Sequence, residues 1–170
     1  EAREKTKAGW RNIFLEDMGV VATRSKHVVG LAGKSGNPSP VTAMGTFLGL
    51  QATLEDVFGD SSLVGKTVAV EGVGAVGSIY SKLVTEAGGT VVVADIRGDA
   101  ARKVAEETGG SMVDPDAIHS VDCDVFAPCA MGAIVNEETI PRLTCKLIAG
   151  AANNQLRDEA TDAVALGDRK

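Results

Sequence analysis

The stretch "KTVAVEGVGAVGSIYSKLVTEAGGTVVVADI", residues 66–96, changes its hydrophobic period twice. "KTVAV" (66–70) is a short β-branched run, and "TVVVADI" (90–96) is a second run, apolar on both faces. Between them, Ala75 to Ala87 reads as a helix closed by Gly88-Gly89. Strand, helix and strand in that order predict two parallel strands joined by a crossover helix. The turn out of the first strand holds Gly72, Gly74 and Gly77, a complete G-x-G-x-x-G. Such glycines allow a tight turn, close approach of an anion to the backbone, and close packing of helix on strand. The backbone through Gly72, Val73, Gly74, Ala75, Val76 and Gly77 is therefore the expected pyrophosphate cradle. The helix that follows adds unpaired N–H groups and a positive dipole end. Asp95, with Ile96 beside it, ends the second strand eighteen residues past Gly77. An acid there accepts adenosine ribose hydroxyls and repels a 2′-phosphate, which favours NAD over NADP. Arg97 is a cation close enough to weigh the other way.

The alternation continues outward. "DAARKVAEET" (99–108) is a predicted helix stopped by Gly109-Gly110, and "SMV" a brief strand. "CDVFAPC" (123–129) and "CKLIAGA" (145–151) are predicted strands, with a short proline-interrupted helix in "NEETIPRL" between them. "RDEATDAVAL" (157–166) reads as helix. Upstream, Ser39 is a predicted N-cap and Pro40 a first helical residue for an amphipathic helix over about 40–58, with Gly59 at its end. Val41, Met44, Phe47, Leu48, Leu54, Val57 and Phe58 mark its apolar positions. Apolar strands alternating with helices predict an α/β fold of Rossmann type. Its sheet is doubly wound and mainly parallel, with helices on both faces. Residues 1–36 read as a connecting segment and 37–170 as one dinucleotide-binding domain.

A second glycine cluster, "GLAGKSGNPSPVT" (30–42), resembles a triphosphate loop only in Gly33-Lys34-Ser35. The glycine required five positions before Gly33 is Val28. The prolines after Ser35 also prevent a helix from starting directly at the loop. Lys34 and Ser35 are read as ordinary loop residues.

The totals narrow the classes. The chain has 170 residues, enough for one domain with a core, and a net charge of −6. That charge, with no basic patch interleaved with aromatics, excludes a nucleic-acid or anionic-membrane surface as the expected partner. The apolar runs are too short to span a bilayer. "EAREKTKAGW" at the start is charged and polar, so no secretory leader is expected there. The 3 cysteines (Cys123, Cys129 and Cys145) form no Cys-x-x-Cys, and with only 2 histidines no metal site is expected. They read as reduced thiols, and the protein is expected to be cytoplasmic.

Four stretches carry a resemblance: "GNPSPVTAMG", "VAVEGVGAVG", "CDVFAPCAMGAIVNEETIP" and "IAGAANNQL", in this order from about Val28 to Asp158. Together they resemble the leucine/phenylalanine/valine branch of the amino-acid dehydrogenases. The resemblance implies NAD-dependent, reversible oxidative deamination of a hydrophobic L-amino acid to a 2-oxo acid and ammonia, in an enzyme that associates into homo-oligomers. It implies roles for named residues. Asp17 in "LEDMGV" is similar to the family's catalytic carboxylate, which assists proton transfer at the amine, although Val20 stands where the family has threonine. Thr42 matches the threonine that bonds the nicotinamide carboxamide. Ala127, Pro128, Cys129 and Ala130 are expected to pass the cofactor through their backbone. Asn154 matches an asparagine on the nicotinamide and substrate side. Cys129 is expected to pack rather than attack, having no histidine partner in view. The family's Gly-Gly-Gly-Lys stretch and its final strand find no match, so the sequence is read as the cofactor half. A non-catalytic dinucleotide-binding module, truncated or degenerate, is the alternative.

Overall fold

The computed structural model describes residues 15–28, 31 and 36–168. Lys34 and Ser35 lie outside these described residues. The chain divides into two compact units, Glu1–Pro40 and Val41–Lys170.

In the first unit, helix α1 spans Leu15–Ala22. The Thr23 hydroxyl donates to the Val20 carbonyl at 2.7 Å, taking up an acceptor that the helix end leaves open. Helix α2 spans Ser39–Phe58, and from Val41 on it belongs to the second unit. Ser39 is its first helical residue rather than its cap. The Asn37 side-chain oxygen instead accepts the Ser39 N–H at 3.0 Å, a role asparagine fills as well as serine. At the far end Gly59 takes a φ of +73° and donates its N–H to the Glu55 carbonyl.

The second unit is built on a five-stranded sheet. Its strands are β1 (Thr67–Glu71), β2 (Thr90–Ala94), β3 (Ser111–Met112), β4 (Val125–Pro128) and β5 (Leu147–Ile148). They lie in the order β3-β2-β1-β4-β5, and all four pairings are parallel. Helices α3 (Gly77–Glu86) and α4 (Gly98–Thr108) make the crossovers from β1 to β2 and from β2 to β3. Two 3-10 turns, Pro115–Ser120 and Ile140–Arg142, flank β4, and α5 (Glu159–Gly167) follows β5. This is the predicted Rossmann-type fold.

Side-chain alternation along the strands separates two cores. Val68 and Val70, Val91 and Val93, Val125 and Ala127, and Leu147 point to one face. Ala43, Phe47, Leu50 and Leu54 of α2, Tyr80 and Val84 of α3, and Ala101 and Val104 of α4 cover that face. Ala69, Ala94 and Phe126 point to the other, against Ile118, Val135, Ile140, Leu143 and Cys145, with Leu166 of α5 packed alongside. Both faces are buried, which is why the strands read as continuous apolar runs.

The buried stripe of α2 differs from the expected one. Phe47 and Leu54 are buried as read, but Val41, Met44, Leu48 and Val57 are exposed, and Ala43 and Leu50 are buried instead. The boundaries of β2 and α3 also differ. β2 stops at Ala94 because the next side chain, Asp95, turns back to take backbone N–H groups. α3 starts at Gly77 because residues 73–76 form the turn, and its first i→i−4 bond joins the Ser78 N–H to the Gly74 carbonyl. At α5, Asp158 is the N-cap, accepting from the N–H groups of Ala160 and Thr161 at 3.0 Å each.

Chain order reverses between β1 and β4, so the sheet's switch point lies beyond their carboxyl ends. Packing of α2 against the sheet is predicted to carry much of the stability of this unit. Leu50→Ala is expected to cost about 2–5 kcal/mol in urea unfolding, whereas exposed Val41→Ala is expected to stay within about 0.5 kcal/mol.

Candidate functional site

The turn after β1 meets the end of β4. Glu71 pairs with Pro128, and the Glu71 carbonyl accepts the Cys129 N–H at 2.7 Å. Gly72 follows with a φ of +89°, a conformation that side chains resist. A Cβ on Gly72 would lie 2.6 Å from the Ala130 Cβ and 2.8 Å from the Ala130 nitrogen. A Cβ on Gly77 would run into the Gly72 carbonyl oxygen and lie 3.2 Å from the Cys129 Cβ. Two of the three glycines are therefore required by protein packing alone. Gly74 is different: nothing lies within 4 Å of its missing Cβ. The space in front of it is open, and among the described residues no hydrogen bond takes up the N–H of Gly74, Ala75 or Val76. These groups sit at the N-terminus of α3, where the helix dipole adds positive potential. Oriented donors around an open, side-chain-free space suit an anion such as a pyrophosphate.

Asp95 braces this turn. One carboxylate oxygen accepts the Val73 N–H at 2.9 Å, and the other accepts the Arg97 N–H at 2.9 Å with the Arg97 guanidinium at 3.4 Å. Burial works to raise the Asp95 carboxyl. The N–H donations from Arg97 and Val73, with the Arg97 charge, outweigh it and hold the group below the usual carboxylate range. Two carboxylate oxygens offer about four acceptor positions, so capacity remains for a ligand hydroxyl. Ile96, next in sequence, is 80% exposed, an apolar surface beside the acid.

Behind this rim the loops after β4 and β5 are clasped. A Cβ on Gly132 would meet the Asn154 side chain, and the Ala133 N–H donates to the Asn154 carbonyl at 2.6 Å. Gly150 is pressed on Pro128, and the Gln155 amide donates to the Gly150 carbonyl at 2.8 Å. Asn154 is exposed on the edge of a 400 Å³ cavity that Gln155 and Glu159 also line. Burial, with some help from the Glu71 charge, pushes the Cys129 thiol up to about 11, so it stays protonated at neutral pH.

The structure thus brings residues 72–77, Asp95, Ile96 and Ala127–Ala130 to the carboxyl ends of β1, β2 and β4. Thr42 lies exposed on α2, next to Ala43, which shares a core with Val73 and Tyr80. Asp17 lies on α1, and its side chain is outside the described residues.

One pair was not read from the sequence. Half-buried Glu71 and buried His119 stand together, with His119 Nε2 3.3 Å from Glu71 Oε2 and no aligned hydrogen bond between them. The available signal was an acid ending an apolar strand, which demands a partner when buried. Its partner, on the 3-10 turn after β3, has no local mark.

A family profile described as "Glutamate/Leucine/Phenylalanine/Valine dehydrogenase" matches residues 97–166. The chain is 48% identical over 148 residues to leucine dehydrogenase of Thermoactinomyces intermedius, covering 85% of this chain and 40% of that protein. It is 44% identical over 131 residues to phenylalanine dehydrogenase of Lysinibacillus sphaericus, covering 74% and 34%. The chain belongs to the leucine/phenylalanine/valine branch of this dehydrogenase family. The crystal structure of L-tryptophan dehydrogenase from Nostoc punctiforme superposes with a TM-score of 0.76 at 41% identity, over 78% of this chain and 40% of that one. The sequence therefore spans about two fifths of the length of the relatives it matches. Family and fold together imply a dinucleotide cofactor.

Two outcomes follow from the geometry of the turn. Gly77→Ala is expected to destabilise by about 1–3 kcal/mol in denaturant unfolding, because its Cβ meets backbone that cannot retreat. Asp95 is depressed in the folded state, so its stabilisation is present above the unfolded value near 3.9 and is lost as pH falls through the lower folded value. Asp95→Asn is thus expected to lower the thermal midpoint at pH 7, with the gap to the parent closing in strong acid. A gap independent of pH would mean that the brace does not need the charge.

Proposed function

We propose that this chain is the NAD-binding part of an amino-acid dehydrogenase that interconverts a hydrophobic L-amino acid with its 2-oxo acid and ammonia. The observation that carries the reading is the open space at Gly74, faced by the unengaged N–H groups of residues 74–76 at the sheet's switch point. In this reading those N–H groups hold the pyrophosphate. Asp95 accepts a ribose hydroxyl with its remaining lone pairs and disfavours a 2′-phosphate. Ile96 lies under the adenine side, and the backbone of Ala127, Pro128, Cys129 and Ala130 lines the path of the cofactor. Thr42 bonds the nicotinamide carboxamide, and Asn154 serves the nicotinamide and substrate side. Asp17 moves a proton at the substrate amine. When bound, NAD supplies the hydride acceptor for oxidation at the α-carbon.

Calorimetric titration with NAD and NADP tests the cofactor reading. NAD is expected to bind and NADP to bind more weakly. Asp95→Asn is expected to weaken NAD by about 10- to 100-fold, the worth of a hydrogen bond to a charged group. Gly74→Ala should weaken NAD while leaving the thermal midpoint unchanged, since its Cβ enters space the protein does not use. A chain that folds and binds no NAD would overturn the reading. Where this stretch operates with a substrate-binding region, Asp17→Asn is expected to lower kcat by about 100-fold or more at unchanged NAD affinity, followed by absorbance of the reduced cofactor.

A further inference from the structure

At the opposite, amino-terminal end of the sheet, two of the three cysteines stand side by side. β4 and β5 pair in register with Val125 opposite Leu147 and Phe126 opposite Ile148. Two residues earlier on each strand, the same register sets Cys123 opposite Cys145. Parallel neighbours lie about 4.8 Å apart, within the range of Cα separations, about 4.4–6.8 Å, that a disulfide spans. The Thr144 hydroxyl ties the two segments together, accepting from the Cys123 N–H at 3.4 Å and donating to the Val121 carbonyl at 2.7 Å. Cys145 is a buried member of the second core, and Cys123 packs against that core. The two thiols share a hydrogen bond, which together with burial raises the Cys123 thiol above its ordinary value. Neither cysteine lies inside the ladder itself, so small backbone shifts that bring their sulfurs into bonding distance break no strand pairing. Cys123, with Thr67, Asp122, Asp124, Thr144 and Lys146, lines an open 320 Å³ cavity, and Cys145 is not part of that lining.

We propose that Cys123 and Cys145 are a dithiol site that closes to an intramolecular disulfide, stapling β4 to β5 at the end of the sheet remote from the glycine turn. The co-reactant is a low-molecular-weight disulfide such as oxidised glutathione. The small fraction of Cys123 present as thiolate attacks one of its sulfurs, a slow step because the thiol is held above its ordinary value, forming a mixed disulfide and releasing one glutathione thiolate. The Cys145 sulfur then attacks the Cys123 sulfur, forming the protein disulfide and releasing the second glutathione. The protein loses two thiol protons, which the two glutathione thiolates take up. The protein dithiol is oxidised and one glutathione disulfide is reduced. Cys129 lies at the far end of β4, beyond Pro128, and takes no part.

The chain is incubated with oxidised glutathione, quenched in acid, denatured and titrated for thiols, and then mapped by peptide mass spectrometry. The expected result is a fall from 3 titratable thiols to about one, with a peptide containing Cys123 linked to a peptide containing Cys145 from the same chain. Cys129→Ser should give the same linked peptides and no remaining thiol. Cys145→Ser should stop at a glutathione adduct on Cys123. Retention of all three thiols, a stable glutathione adduct on Cys123 of the parent, or disulfide-linked dimers would each overturn the proposal. Should Cys145→Ser fail to fold, the thiol count and linked peptide of the parent decide by themselves.

Discussion

Everything at the candidate site depends on how closely β1, α3 and the end of β4 approach one another. The Gly72 position touches Ala130, and the Gly77 position touches both the Gly72 carbonyl and Cys129. A side chain at either glycine would push the helix off the strand or β4 off β1. That closeness sets the helix N-terminus at the switch point with its donors turned outward. At Gly74 a Cβ would meet no atom within 4 Å, so packing does not require a glycine there. The contrast separates the two glycines that packing requires from the one that fronts open space.

Asp95 links the two halves of the unit. By its place at the end of β2 it is a candidate ribose acceptor, yet its carboxylate is already bound to Val73 of the turn and to Arg97 at the entry to α4. One group therefore braces the glycine turn and, in the proposed reading, keeps lone pairs for a ribose hydroxyl. Beneath the same turn, half-buried Glu71 has the His119 ring beside it, Nε2 lying 3.3 Å from Oε2.

The strand, turn, helix and strand around the glycines were legible because each announces itself by its own period and by glycines at fixed offsets. The same holds for α4. The buried stripe of α2 was not legible. Val41, Met44 and Leu48 satisfy a helical period as well as Ala43 and Leu50 do, and only the sheet beneath selects between them. The 3-10 turn Pro115–Ser120 is too short for a period to show, and with it His119 escaped notice. The clasp of Gly132 on Asn154 and the meeting of Cys123 with Cys145 each join residues 22 positions apart in sequence, which only the register of neighbouring strands and their loops brings together. Residue roles carried by family likeness, such as those of Thr42 and Asp17, have no local signature of this kind.

In the proposed reading the backbone of residues 74–76 is the anion site. Amide chemical shifts of the isotopically labelled chain, followed during titration with NAD, test it most directly. The N–H signals of Gly74, Ala75 and Val76 are expected to move most, with saturation at one equivalent of NAD. Signals that move instead around the Cys123 cavity or around Asn153 to Ala163, with residues 74–76 unchanged, would contradict it.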